Sequence, residues 1–145
     1  MVDIIHIILV SHGDFAKGLK TSLAMFVGDK IDQIIAVGLK NGESADQFAE
    51  DLQLPLAEIS SDDSLIVLAD IIGGSPLTTL CSALSKMGKL DETTILGGVN
   101  LPMALNAVVL KDNLKGEDFI KTVLGEAQSS LREFKVTAND EDDDI

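Results

Sequence analysis

The sequence predicts an α/β domain built on a doubly wound, mainly parallel sheet with strand order 2-1-3-4. Three observations predict it. Apolar stretches alternate with stretches of helical periodicity along most of the 145 residues. The apolar stretches are near-continuous runs of Ile, Leu and Val, as strands covered on both faces require. No repeat or linker divides the chain, whose length suits a single core. Strands alternating with helices imply right-handed crossovers between parallel neighbours.

Each element has its own signal. Residues 3–10 form the first apolar run, which stops at Ser11-His12-Gly13, and Asp14 opens a helix. Ala16, Leu19, Leu23, Phe26 and Val27 recur at helical spacing, and Gly28 marks the stop. Residues 31–37 read as a second strand, followed by an Asn41-Gly42 turn. Ser44 and Gln47 have capping-box spacing and open a helix over about 45–58. Residues 65–69 are a third buried strand, ended by Asp70. Ser75-Pro76 reads as an N-cap with proline at the first helical position, and Leu77, Leu80, Cys81 and Leu84 continue that helix. Residues 93–96 make a fourth strand, broken by Gly97-Gly98, and two helices follow over about 102–110 and 116–132. Residues 134–137 form a short, polar edge strand.

Composition narrows the function classes. The formal net charge is -13, of which Asp140, Glu141, Asp142, Asp143 and Asp144 supply five, leaving about -8 for residues 1–139. Residues 1–138 therefore read as one domain and 139–145 as a solvated acidic tail. The absence of a basic stripe argues against nucleic-acid binding and favours a basic protein partner. No apolar stretch approaches the roughly 18–20 residues that span a bilayer, so no membrane insertion is expected. Cys81 is the single cysteine and reads as a buried thiol on a helical face; with no secretory pattern at the start, the chain is expected to be cytoplasmic.

The strand order puts the carboxyl ends of strands one and three side by side at the switch point, where open α/β sheets place their chemistry. His12 and Asp70 stand at those two ends. A carboxylate bonded to one ring nitrogen fixes the imidazole tautomer and leaves the other nitrogen as a nucleophile. It also stabilises the positive charge that develops when that nitrogen attacks. Gly73, Gly74 and Ser75 lie at a helix start, where backbone N–H groups, the helix dipole and a hydroxyl suit a dianion. Asn100, after Gly97-Gly98, and Ile71 are further candidates for the wall of the site. Together these residues suggest phosphorylation on the imidazole.

Plainer readings stand beside this one. A lone histidine at a strand end is more often structural, and it is Asp70 that lifts His12 above that reading. His6, among isoleucines inside the first strand, reads as a core or edge histidine. Gly73-Gly74 also reads as a simple strand-to-helix turn. Two histidines and one cysteine, poorly spaced, do not suggest a metal site. With no Walker loop and no GxGxxG opening the first helix, no nucleotide or other cofactor is expected.

Three segments carry a family resemblance. Ser11-His12-Gly13, residues 70–76 (Asp-Ile-Ile-Gly-Gly-Ser-Pro) and residues 98–103 (Gly-Val-Asn-Leu-Pro-Met) resemble the signature segments of mannose-family enzyme IIA domains. These domains belong to the bacterial phosphoenolpyruvate-dependent sugar phosphotransferase system, and the resemblance covers about residues 3–138. It implies that His12 accepts a phosphoryl group on Nε2 from the phosphocarrier HPr and passes it to a IIB protein. The IIC and IID membrane subunits then couple that transfer to sugar uptake. It implies that Asp70 holds Nδ1 and that Ser75 and the amides around Gly74 form the phosphate-side wall. It also implies a last strand, here 134–137, that runs antiparallel at the sheet edge and is exchanged in a homodimer. Ile71 and Ile72 stand where some relatives carry an aromatic residue. Two alternatives remain open at this point: the phosphotransferase subunit of a dihydroxyacetone kinase, and a module whose phosphorylation state is only a signal. The transported sugar could be mannose, fructose, sorbose, N-acetylgalactosamine or gluconate, because the membrane subunits select it.

Overall fold

The structure, a computed structural model, describes residues 3–137. Strands β1 (Ile5–His12), β2 (Ile34–Leu39), β3 (Ser64–Ala69) and β4 (Thr94–Gly97) form one sheet in the order β2-β1-β3-β4. Every neighbouring pair is parallel, with Val10 opposite Val37 on one side and opposite Ala69 on the other. Side chains alternate across a strand, and both faces of this sheet are covered. Ile7 and Leu9 pack with helices α1 (Phe15–Val27), α4 (Leu101–Leu110) and α5 (Gly116–Ser129). Ile8 and Val10 pack with α2 (Ala45–Leu56) and α3 (Ser75–Lys86). Burial on both faces explains why β1 and β3 read as unbroken apolar runs.

Several boundaries differ from the sequence expectation, each for a local reason. β1 continues through Ser11 and His12, which pair with Gly38 and Leu39. Residues 28–33 form a 3-10 helix in place of the first half of the second strand, so β2 starts at Ile34. The Ser44 hydroxyl accepts the Gln47 backbone N–H at 3.1 Å, but the Gln47 side chain donates to Asp51, so only half the capping box forms. The N-cap of α3 is Gly74, and Ser75 and Pro76 are already helical. α5 ends at Ser129, short of Leu131, which is exposed. Residues 133–137 form no strand within the single chain, and Phe134 and Val136 are exposed. The expected acidic tail, 139–145, lies outside the described residues.

The amino ends of the strands are tied by a polar cluster. His6 is buried, as expected of a core histidine, and its Nε2 lies 2.9 Å from Asp63 Oδ2. Its Nδ1 has no hydrogen-bond partner, so the ring is only half satisfied. Asp63 also accepts the backbone N–H groups of Ile4 and Ser60. The buried Lys89 ammonium donates to the carbonyls of Ser61 and Asp63 at 3.0 and 2.6 Å. The Ser60 N–H and the His6 ring hold the Asp63 carboxyl below the usual carboxylate range, against the opposing effect of burial.

Asp63→Ala leaves the buried His6 ring and the part-buried Ile4 and Ser60 N–H groups unpaired and should cost about 3 kcal/mol of stability, read by urea denaturation at neutral pH. Because the folded carboxyl titrates below its unfolded value, this contribution is present above about pH 4 and is lost as pH falls through the folded pKa. The difference between wild type and Asp63→Ala should therefore shrink in acid.

Candidate functional site

The site forms where β1 and β3 end. Asp70 follows directly on β3, and its backbone N–H extends the ladder to the Val10 carbonyl at 3.1 Å. That placement turns the carboxylate toward His12. Asp70 Oδ2 accepts both the backbone N–H of His12 and the ring Nδ1–H, each at 2.9 Å. Oδ1 accepts the Ile71 N–H at 2.8 Å. A carboxylate only accepts, so Nδ1 carries a proton, and in the neutral ring Nε2 then carries the lone pair. The His12 side chain is 48% exposed and Asp70 18%, so the nucleophilic nitrogen is open and its partner is largely covered.

Burial works to raise the Asp70 pKa, but the His12 backbone and ring N–H bonds, the Ile71 N–H and the His12 charge together outweigh it. The carboxyl is held below its usual range and stays ionised at neutral pH.

The start of α3 closes the other side of the ring. A Cβ built on Gly74 would lie 2.7 Å from His12 Cε1 and 3.2 Å from Nε2, so only glycine lets α3 come this near. Gly73 has φ +93°, a conformation that L side chains rarely adopt. With glycine at the N-cap, no side chain caps α3. Its first N–H groups and the exposed Ser75 hydroxyl are left for an outside acceptor. Pro76 removes one donor from that turn.

The remaining expected residues are placed less directly. Ile71 and Ile72 are 53% and 77% exposed beside the site, and Phe15, at the start of α1, is 49% exposed. Asn100 caps α4, its Oδ1 accepting the Met103 N–H at 2.8 Å. That bond occupies its amide oxygen, and with Phe15, Gly18 and Ser22 Asn100 lines a groove of about 440 Å³ between α1 and α4. Cys81 is half-buried, and burial raises its thiol pKa.

Sequence reasoning missed the role of Ser11. It is fully buried at the end of β1, and its hydroxyl accepts the Ala16 N–H at 2.8 Å and donates to the Gly13 carbonyl at 3.4 Å. Asp14 occupies the N-cap of α1 but makes no side-chain cap bond. Ser11 does that work from within the strand, and a serine next to His12 in an otherwise apolar run was the available signal.

Comparisons with known proteins agree with this geometry. Residues 6–124 match the EIIA-man family, described as the fructose IIA component of the phosphotransferase system. The chain belongs to this mannose-type enzyme IIA family. It is 30% identical over 128 residues to the fructose-specific EIIA component of Bacillus subtilis (strain 168), covering 88% of this chain and 85% of that protein. The PTS IIA protein associated with the fucose utilization operon of Streptococcus pneumoniae superposes with a TM-score of 0.73 at 31% identity, covering 92% and 96% of the two chains. The mannose/sorbose-specific IIA subunit of Enterococcus faecalis, at 22% identity, TM-score 0.73 and coverage of 94% and 98%, shares the fold. This enzyme IIA is thus a phosphotransfer component of a sugar phosphotransferase system. Among the described residues, no helix is long and apolar enough to cross a membrane.

The Asp70–His12 pairing has a measurable signature. His12→Ala removes the ring N–H and the charge while keeping the backbone N–H of residue 12. The Asp70 pKa should then rise toward the ordinary value of about 3.9, as read by carboxyl ¹³C NMR. In wild type, the stability that Asp70 contributes is present above about pH 4 and is lost as pH falls through its depressed folded pKa. In His12→Ala that loss begins at higher pH.

Proposed function

We propose that His12 is the phosphoryl relay of this enzyme IIA, accepting phosphate from phospho-HPr on Nε2 and passing it to a IIB component. One observation carries the reading: Asp70 holds Nδ1–H, leaving the exposed Nε2 lone pair beside the uncapped start of α3. The Nε2 lone pair attacks phosphorus, an N–P bond forms, and the bond to the donor's imidazole breaks with its electron pair leaving on that ring. The Nδ1 proton stays on His12, and the Asp70 carboxylate offsets the positive charge that grows on the ring. The amides around Gly74 and the Ser75 hydroxyl would receive the phosphoryl oxygens, with Gly73 shaping the turn and Ile71 as apolar wall. Transfer to IIB is the same step reversed, with a IIB histidine as acceptor. IIC and IID then take the phosphate and the sugar onward, so the sugar is chosen outside this chain. Positioning and charge stabilisation suffice for such a transfer, and we propose that it runs in the cytoplasm without a cofactor. The family match and the relatives' sugar phosphotransferase descriptions favour this relay over a dihydroxyacetone kinase subunit or a purely signalling module.

We also propose a homodimer in which residues 134–137 of each chain add an antiparallel strand to β4 of the other. The support is that β4 is an edge strand, while Leu131, Phe134 and Val136 are exposed in the single chain.

Incubation with phosphoenolpyruvate and the general phosphotransferase proteins should put acid-labile, base-stable phosphate on wild type and none on His12→Ala. Full labelling of His12→Ala would exclude the relay. Asp70→Asn keeps the shape and loses the anion, so transfer should slow by about 100-fold or more with the fold intact by circular dichroism. Phe134→Asp should shift sedimentation from dimer to monomer, and an unchanged dimer would refute the exchanged strand.

A further inference from the structure

Two glycines in the outer strands stand where the site's two turns pass over them. Gly38 of β2 pairs with Ser11, the residue before His12, and Gly97 of β4 pairs with Ala69, the residue before Asp70. A Cβ built on Gly38 would collide with the Gly13 carbonyl oxygen, and the Gly13 N–H donates to the Leu39 carbonyl at 2.7 Å. On the opposite face of the sheet, a Cβ built on Gly97 would collide with Ile72 Cγ1 and lie 2.7 Å from Cδ1. Neither glycine has a positive φ, so alanine at either position would suffer no backbone strain. Glycine weakens a strand, and its use here signals close approach of another segment. At Gly38 the approaching atoms are backbone and cannot rotate away. At Gly97 they belong to an exposed isoleucine side chain, which can.

We propose that Gly38 and Gly97 are positioning residues of the phosphoryl site, each a side-chain-free seat for one of its turns. Gly38 seats the β1–α1 turn and thereby the His12 ring. Gly97 seats Ile72 in the loop that runs from Asp70 to Gly74 and thereby the start of α3. Neither glycine touches the reacting atoms, and both act by distance. The kinetic consequence rests on the relay reading, and the structural one does not.

The test uses Gly38→Ala, Gly97→Ala and the double variant Gly97→Ala with Ile72→Ala. Ring ¹⁵N NMR reads His12, and His6, bonded to Asp63 at the far end of the same strand, serves as a built-in control. Gly38→Ala should shift the His12 ring signals, leave those of His6 in place and slow phosphate uptake about 10- to 100-fold. Gly97→Ala should slow uptake less, and adding Ile72→Ala should restore most of the rate. Unmoved His12 signals in Gly38→Ala, or equal disturbance of both histidines, would overturn the proposal. A double variant as slow as Gly97→Ala would do the same, and this pair decides the matter if Gly38→Ala does not fold. A wild-type chain that takes up no phosphate would overturn the relay while leaving the ring spectra to judge the seats.

Discussion

One carboxylate oxygen organises the site. Asp70 Oδ2 accepts the backbone N–H and the ring N–H of the same residue, His12. The first bond fixes where the end of β1 lies relative to β3, and the second fixes the ring's orientation and tautomer. Neither bond could form if β1 and β3 were not neighbours ending at the same height, with Val10 opposite Ala69. The strand order is therefore what pairs His12 with Asp70 and leaves Nε2 free. Against its partial burial, the two His12 bonds, with the Ile71 N–H on its other oxygen, keep the Asp70 carboxylate ionised.

Space around the ring is set largely by missing side chains. Gly74 stands close against Cε1 and Nε2, and any Cβ there would push the imidazole off Asp70 or push α3 off the imidazole. The same absence leaves the first turn of α3 without a cap, so the groups that would stabilise an added anion are the ones that glycine leaves unsatisfied. Packing and chemistry are met by one choice of residue. Ser11 makes the opposite contribution, filling buried space with a hydroxyl that holds the start of α1 and the turn after His12.

How much was legible in the sequence follows from the range of the interactions involved. Strands buried on both faces announce themselves as apolar runs, and the βα alternation fixed a sheet order that brought His12 and Asp70 together across 58 residues. Local competition was less readable. Residues 28–33 carry a strand-like Ile31 yet form a 3-10 helix after α1, and Gly74 rather than Ser75 takes the N-cap because the loop from β3 arrives there already extended. Asn100 reads as a free wall residue, but capping α4 occupies its oxygen. Contacts made by what is absent, such as Gly38 beneath Gly13, leave no periodicity or motif and become visible only in three dimensions.

Two histidine–aspartate pairs are anchored on β1, and their contrast supports placing the proposed chemistry at one end. His6 gives Nε2 to Asp63 and keeps Nδ1 buried, whereas His12 gives Nδ1 to Asp70 and keeps Nε2 open. In both pairs a ring nitrogen meets an aspartate Oδ2, at the same 2.9 Å. Strand direction separates them. In a parallel sheet with helical crossovers, helix amino ends gather at the carboxyl edge of the strands and helix carboxyl ends at the other. The His6 end accordingly faces the carboxyl end of α3. There the Lys89 N–H bonds back to the Leu84 carbonyl, and the Lys89 ammonium is held by the carbonyls of Ser61 and Asp63. At that edge His6, Asp63 and Lys89 are all buried. The His12 end faces the amino end of α3, where negative charge is favoured and a partner protein has access. The one free nitrogen of His6 is buried and leaves no room for a phosphoryl group, whereas a phosphoryl group on His12 would meet the N–H groups that open α3.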